Sequence, residues 1–387
     1  MEENNLNYDF IISGGGIAGL TTAIALQKEG YRVKVFERVK ELKAIGAGLG
    51  LGANAWKGLA NLGITEDLEK KCNIIENTKI LDQKGHVISN LGMEGLNKKY
   101  GVASFTVHRA DLLSILFSNL QPDTVEFGKR VVDYKQYENK VAVYLDDGNV
   151  ITGEALIAAD GIHSSVRKKC LPGIQPRYSG YTCWRAVVNV HNETSIPTYF
   201  SETWGAKGRF GIVPLKNNQI YWFACVNAPY QSKTMSGFTT KDLYRLFQDY
   251  QFPIPELIQK TQDEELIWND IIDLNPIDRY AFGKVLLIGD AAHATTPNMG
   301  QGAGQAIEDA IILSKVLKNQ ANHAEAFVDF EKLRMPKTKK IMNMSWRLGK
   351  IAQLDHPFQI GIRNSLMRIL PSKMQEKQME FVFQTKF

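Results

Sequence analysis

Hydrophobic and polar positions change period several times along this chain. It opens on the apolar run Tyr8-Asp9-Phe10-Ile11-Ile12, which reads as a short buried strand. Glycines at 14, 15, 16 and 19 follow directly, and a helical pattern then runs over 17–29 until Gly30 stops it. A second apolar run over 31–36 ends at Glu37, so the first forty residues predict a β-α-β unit. Residues 54–72 carry a helical pattern, and 103–108 reads as a strand entering a helix at Arg109. Apolar and polar positions alternate over 124–160 around the turn Asp146-Asp147-Gly148-Asn149, which predicts a β meander. Strand-like patterning returns over 178–226, with a hairpin turn at Lys216-Asn217-Asn218, and helices are expected near 240–251 and 254–262. Another buried strand is expected at 284–288, a long helix at 302–318, and helices near 325–352, 357–370 and 374–383. Parallel-type strands at both ends with antiparallel ones between them predict an α/β fold, an α+β composite in which a sheet domain interrupts a nucleotide domain.

Composition narrows the picture. The 387 residues are 44% hydrophobic and 22% charged, which suits two or three globular domains and excludes collagen-like, coiled-coil or disordered chains. Cys72, Cys170, Cys183 and Cys225 are scattered, with no C-x-x-C pair and no histidine at zinc-ligand spacing. Neither a disulfide framework nor a metal site is expected, and a reducing compartment is the simpler reading. The opening MEENNLNYDF lacks the basic and then apolar order of a signal peptide. No apolar run approaches the roughly 18 residues of a membrane span, so a soluble, cytoplasmic protein without a transmembrane segment is expected.

Charge is unevenly placed. Lys and Arg number 46 against 41 Asp and Glu, a net +5, yet residues 331–387 hold 12 against 4 and leave 34 against 37 for the rest. No aromatic-interleaved basic patch or reading motif accompanies them, so no nucleic-acid partner is expected. The basic C-terminal segment reads as a solvated face, or as an attractor for nicotinamide-cofactor phosphates or an acidic membrane surface.

The first chemistry lies in Gly14-x-Gly16-x-x-Gly19, with Glu37 eighteen residues beyond Gly19. This fits a dinucleotide fingerprint: one glycine for the tight turn, one to admit the pyrophosphate, one for close packing, and an acid for the ribose hydroxyls. The competing reading is a glycine-rich turn of purely structural use. An acid at the ribose position disfavours a 2′-phosphate, so FAD or NAD fits better than NADP. Arg38 could neighbour the adenosine or be an exposed arginine.

Two further segments carry a resemblance. Ala158-Ala159-Asp160-Gly161-Ile162-His163-Ser164-Ser165-Val166-Arg167 and Leu287-Ile288-Gly289-Asp290-Ala291-Ala292-His293, the latter continuing through Pro297 to Gly300-Gln301-Gly302, resemble two flavin-site motifs. With the glycine motif, in this order, they resemble the single-component FAD-dependent aromatic hydroxylases of the para-hydroxybenzoate hydroxylase fold. Similar chains include urate hydroxylases, zeaxanthin epoxidases and tetracycline-inactivating enzymes. The resemblance implies a Rossmann-like FAD-binding domain over 1–175 and 276–350, a mainly antiparallel substrate sheet over 176–275, and a C-terminal helical cap over 351–387. It implies FAD held by Gly14, Gly16, Gly19, Glu37, Arg38, Arg109, Asp160, Asp290, Pro297, Gly300, Gln301 and Gly302.

Physically, Asp290 at a strand end can accept from ribityl hydroxyls, and the amides opening the 302–318 helix can face the flavin pyrimidine carbonyl. A solvated helix-start arginine is the bland reading of Arg109. The family reaction consumes NADPH or NADH as a transient co-substrate, with Arg167 or His163 as possible contacts, and O2, which forms a flavin C4a-hydroperoxide. One oxygen atom is then inserted into a small aromatic, heteroaromatic or polycyclic substrate. Arg209 and Tyr221 are spaced like the catalytic Arg and Tyr of the urate hydroxylases, although Cys183-Trp184-Arg185 departs from them; both could equally be packing residues on a half-buried sheet. There is no second G-x-G-x-x-G and no Trp-x-Trp-x-Ile-Pro, which sets the chain apart from two-dinucleotide reductases and flavin halogenases. A reductase of the geranylgeranyl-reductase type and a non-catalytic protein of the Rab-escort type are the alternatives. The expected assembly is a monomer or homodimer.

Overall fold

The apolar opening run forms the strand Tyr8–Ser13 at the centre of an eight-stranded sheet in the computed structural model, which describes residues 8–42, 47–102, 104–190 and 197–385. Phe10, Ile11 and Ile12 are fully buried because the strand is covered on both faces. It pairs in parallel with Val33–Glu37 on one side and Val150–Ala158 on the other. The strand Val285–Leu287 then joins Val150–Ala158 in parallel, with Leu156 opposite Val285 and Ala158 opposite Leu287. Three segments far apart in sequence, the glycine loop, Asp160-Gly161 and Gly289-Asp290, therefore leave the same end of three adjacent strands. That end, where parallel strands finish and helices begin, is where open α/β sheets take their ligands.

The second sheet has seven strands. Gly208–Pro214 and Gln219–Asn227 form the expected hairpin, with Asn217 and Asn218 both in the left-handed region (φ 59° and 56°) that asparagine tolerates. Two departures from the sequence pattern stand out. The predicted 54–72 helix is two helices, Ala53–Asn61 and Thr65–Lys71, parted at Gly63 with φ +71°. The hairpin of Asn77–Asp82 and Val87–Gly92, inside the 1–175 segment, is not part of the nucleotide sheet: its first strand pairs in parallel with Phe200–Gly205 and extends the second sheet. Ile267–Asp273 adds the opposite edge.

The two faces of the second sheet differ sharply. Phe210, Ile212, Trp184, Trp222 and Ala224 point outward under the helices Thr240–Phe247 and Ile254–Gln259, forming one apolar core. The other face meets the nucleotide domain. Its cross-strand rows, read from the ladder, are Arg209, Cys225 and Cys183; then Gly211, Phe223 and Arg185; then Val213, Tyr221 and Val187.

The 30-residue helix His323–Ala352 runs along the helix Gly302–Lys318, Pro357–Ile369 packs on Val87–Gly92, and Ser372–Phe383 returns to the nucleotide domain. There Phe383 lies in a core with Ala53, Leu91, Met93 and Leu96, its ring 2.2 Å from where a Cβ on Gly52 would stand. No helix among the described residues is long and apolar enough to cross a membrane. Since Phe383 joins the Gly48–Gly52 strand and the helix after it to Leu91 of the second sheet, Phe383→Ala should cost about 3 kcal/mol, read as a lower thermal midpoint; an unchanged midpoint would show that the last helix is not a brace.

Candidate active site

Gly14 has φ +103°, and a Cβ there would sit 2.4 Å from the Ala159 carbonyl oxygen; a Cβ on Gly19 would sit 1.9 Å from the Gly14 oxygen. Both glycines exist to let backbone meet backbone. Gly16 is different, because a Cβ on it would meet nothing within 4 Å. Above it the helix Ile17–Lys28 begins with no side-chain cap and no acid in its first turn, so its leading amides are free to take an anion. Glu37 accepts from the Gly15 amide (2.6 Å) and the Val39 amide (3.0 Å), which clamps the loop to the second strand. Arg38 beside it is exposed.

Asp160 accepts from the amide and hydroxyl of Ser165 through Oδ2 (2.9 and 3.2 Å), while Oδ1 is buried with no partner among the described residues. Burial pushes its pKa up against those hydrogen bonds. Arg167 is fully buried: Nη1 donates to the Ala291 carbonyl at 3.0 Å and Nη2 to Ile162, so it ties the two flavin-motif segments together rather than reaching outward. His163 stays exposed; partial burial and then Lys168, Arg167 and Arg38 hold its pKa down.

Gly289 turns the chain with φ +54°, and its amide donates to Asp309 Oδ2 at 2.8 Å. The same oxygen contacts His293 Nε2 at 2.7 Å, and Oδ1 accepts from Arg334 Nε at 2.6 Å. Burial alone would raise the Asp309 pKa, but His293 and Arg334 outweigh it and bring it from the ordinary 3.8 to about 2. Asp290 follows this anchored turn. It can be reached by solvent yet has protein on every side, as expected of a cleft wall; burial raises its pKa, opposed by His293, Arg109 and Arg167.

Arg109 occupies the facing wall. Its amide is held by the Ala47 carbonyl at 2.9 Å, and His108 Nδ1 caps the helix Arg109–Ser118 by accepting from the Ala110 amide at 3.2 Å. Burial lowers the Arg109 pKa, with Asp290 opposing and Arg185 adding to the effect. Neither Arg109 nor Asp290 takes a side-chain hydrogen bond among the described residues. Below them Pro297–Met299 forms one 3-10 turn, Gly300 closes it with φ +60°, and Gly302 opens the 17-residue helix, where a Cβ would stand 4.0 Å from Asp290 Oδ1. The Gln301 side chain is buried, accepting from Asn54 (3.2 Å) and Gln305 (3.1 Å), which leaves the 300–302 backbone to line the cleft.

The sheet wall places Arg209 and Tyr221 on one face but four ladder positions apart, about 13 Å along the strand. Each Arg209 nitrogen group is engaged: Nε with Gln353 (2.7 Å), Nη1 with Glu202 (2.9 Å) and Nη2 with Asn298 (2.9 Å), which also accepts from Tyr181. Tyr221 lies against Gly48, and burial, then Cys183, raise its pKa, so it keeps its proton. Between them Phe223 lies over Gly211, where a Cβ would come within 2.1 Å of the ring. Arg185, next to Phe223 and bonded to Asn269 (2.5 Å), keeps a buried Nε with no partner.

Three observations test this cleft for FAD: the open space at Gly16, the orphaned Asp160 oxygen, and the unpartnered Asp290 and Arg109 facing each other. All three fit the cofactor. The family of FAD binding domains matches residues 7–340. The chain belongs to the FAD-dependent aromatic monooxygenases. This monooxygenase is 36% identical to the aurachin C monooxygenase/isomerase of Stigmatella aurantiaca over 94% of each chain. It is 31% identical to the 2-heptyl-3-hydroxy-4(1H)-quinolone synthase of Pseudomonas aeruginosa over 95% of each. The Klebsiella pneumoniae HpxO structure complexed with FAD and uric acid superposes with a TM-score of 0.89 at 27% identity, covering 98% of both chains. These matches do not favour the reductase alternative.

The sequence pattern did not single out Asp309, Arg334 or the free donor of Arg185. Glu308-Asp309 inside an otherwise apolar helix was the available signal, since paired acids in a buried helix require buried cations.

Gly16→Ala should leave the apoprotein's thermal midpoint unchanged and cut FAD retention about tenfold or more, whereas Gly19→Ala lowers both; equal effects in the two would contradict the distinct roles of these glycines. For Asp309, a folded pKa below the unfolded one adds stability above about pH 4 that is lost as pH falls toward 2. Asp309→Asn should flatten acid unfolding across that window, measured by flavin release.

Proposed function

We propose that this monooxygenase hydroxylates a flat, ionisable heteroaromatic ring bearing an apolar substituent, of the 4-quinolone type, using NADPH or NADH and O2. The balance is substrate C–H, O2, NAD(P)H and a proton giving C–OH, NAD(P)+ and water. The observation that carries this reading is the sheet wall: Phe223, Tyr221, Cys183 and Cys225 make it largely apolar, and Arg209 is already saturated by Glu202, Asn298 and Gln353. A polar, many-donor ring such as urate would find few partners on it. The relative named as a 2-heptyl-3-hydroxy-4(1H)-quinolone synthase aligns over 95% of each chain, which supports the same substrate class.

Bound FAD, once reduced, supplies the oxygen-transfer chemistry. The chain's own groups do the rest. The Gly16 space and the first amides of Ile17–Lys28 hold the pyrophosphate, Asp290 accepts from ribityl hydroxyls, and Arg109 offsets phosphate charge. The 300–302 backbone would offer its amides to the pyrimidine side of a bound flavin. Arg185 Nε and the protonated Tyr221 hydroxyl donate to the ring oxygen of the substrate, favouring its anionic, electron-rich form. Phe223 stacks beneath the ring and keeps water out. On the rim, exposed Arg38 and Lys168 supply the positive charge suited to nicotinamide-cofactor phosphates, with His163 beside them as a neutral imidazole.

With a 2-alkyl-4-quinolone, 18O2 should yield a product carrying one labelled oxygen. Arg185→Met should lower kcat/KM about tenfold to a hundredfold and divert reducing equivalents to hydrogen peroxide. Faster coupled turnover of urate would overturn the substrate class; turnover without O2 would overturn the reaction.

A further inference from the structure

The helix Pro357–Ile369 has its polarity inside out. Its side against the protein buries Arg363 and Asn364, at 4% and 8% exposure. Its outer side presents Phe358 (71% exposed), Ile362 (47%), Leu366 (64%) and Ile369 (77%). At 100° per residue these four fall within about 80° of one another, a continuous apolar stripe, and Leu370 and Met374 prolong it past the helix end, both exposed. A surface helix ordinarily turns such a stripe inward. An exposed apolar patch of this kind marks something that covers it.

Charge and area select the occupant. From 356 to 375 the chain contains no acidic residue and, besides the buried Arg363, carries the basic residues Arg368 and Lys373, within the segment that carries the whole positive excess of the protein. Arg368, on the flank of the stripe, is exposed even while its Nη2 contacts Asp82 at 3.0 Å. Exposed Arg347 and Lys377 lie to either side in sequence. Two copies meeting through this helix would bury little: thirteen residues make a face about 20 Å long and about 10 Å wide, roughly 200 Å² against the roughly 800 Å² per partner of a stable interface. A lipid surface has no such threshold, since apolar side chains enter it singly while basic residues meet anionic headgroups.

We infer that the stripe of Pro357–Ile369 seats the enzyme on an anionic phospholipid surface, with Phe358 and Ile369 as the deepest anchors. The helix then lies in the membrane plane, and the catalytic domains stay in water. This docking does not depend on which ring the enzyme hydroxylates.

The test is flotation of the full-length flavoprotein with vesicles of phosphatidylcholine alone and of phosphatidylcholine mixed with phosphatidylglycerol. Binding is expected on the anionic vesicles, about tenfold weaker on neutral ones, and reduced by rising salt. The double variant Phe358→Ser, Ile369→Ser should lose about tenfold or more of it while keeping its flavin absorbance, thermal midpoint and vesicle-free NAD(P)H oxidation. No binding to anionic vesicles, or binding that the double variant retains, would overturn the inference. So would a wild-type dimer in analytical ultracentrifugation that the variant abolishes, because a second copy would then cover the stripe.

Discussion

The buried charges between the helices Gly302–Lys318 and His323–Ala352 hold the catalytic architecture together. Arg334 donates to Asp309, to Glu308 (2.6 Å) and to the Gln305 side chain (2.8 Å), and Lys337 donates to both oxygens of Glu308 (2.8 and 2.9 Å). Two cations and two carboxylates satisfy one another where any one alone would be costly to bury. The same Asp309 fixes the Gly289 turn, and Glu308 accepts weakly from Asn54 (3.4 Å), whose amide also contacts Gln301. One network thus aligns the turn carrying Asp290, the loop leading into the Gly302 helix, and the long helix that ends at the substrate wall. Such a network adds less to stability than to uniqueness of arrangement, and a flavin cleft requires arrangement.

The cleft itself is defined by what the protein leaves unpaired. Asp290, Arg109, one oxygen of Asp160 and one nitrogen of Arg185 lack hydrogen-bond partners among the described residues, whereas Glu37 and Arg209 are engaged in holding backbone or sheet, and Arg167 is tied through both Nη groups to backbone carbonyls. Orphaned polar groups are expensive in a closed interior. The four that line the cleft mark where a polar cofactor completes the structure.

Local chemistry made much of this readable in advance. Gly14 and Gly19 announce a strand-turn-helix because only glycine permits those backbone approaches, Gly16 leaves the space above the helix start open, and Asn217-Asn218 announces its hairpin because asparagine tolerates positive φ. The 77–92 hairpin was not readable, since its sheet is chosen by a parallel pairing with a strand more than a hundred residues later and no local pattern encodes that partner. The family resemblance offered Arg167 or His163 as a possible nicotinamide-cofactor contact, yet the Arg167 side chain turns inward to the Ala291 carbonyl. The positive segment 331–387 read as one basic face; the structure divides it into buried ion pairs at Arg334 and Lys337 and an exposed apolar stripe beyond 357.

The sequence by itself determined a dinucleotide-binding turn, because phosphate-binding turns are set by backbone conformation over a few residues, and the resemblance of its motifs to a known family supplied FAD and the class of chemistry. Tertiary structure alone decided which charged side chains are free to act. Arg209 and Arg185 look alike along the chain, and only the arrival of Glu202, Asn298 and Gln353 from three other elements neutralises one and leaves the other with a donor to spare. A charge becomes functional or structural according to what is packed beside it, and those neighbours come from distant parts of the chain.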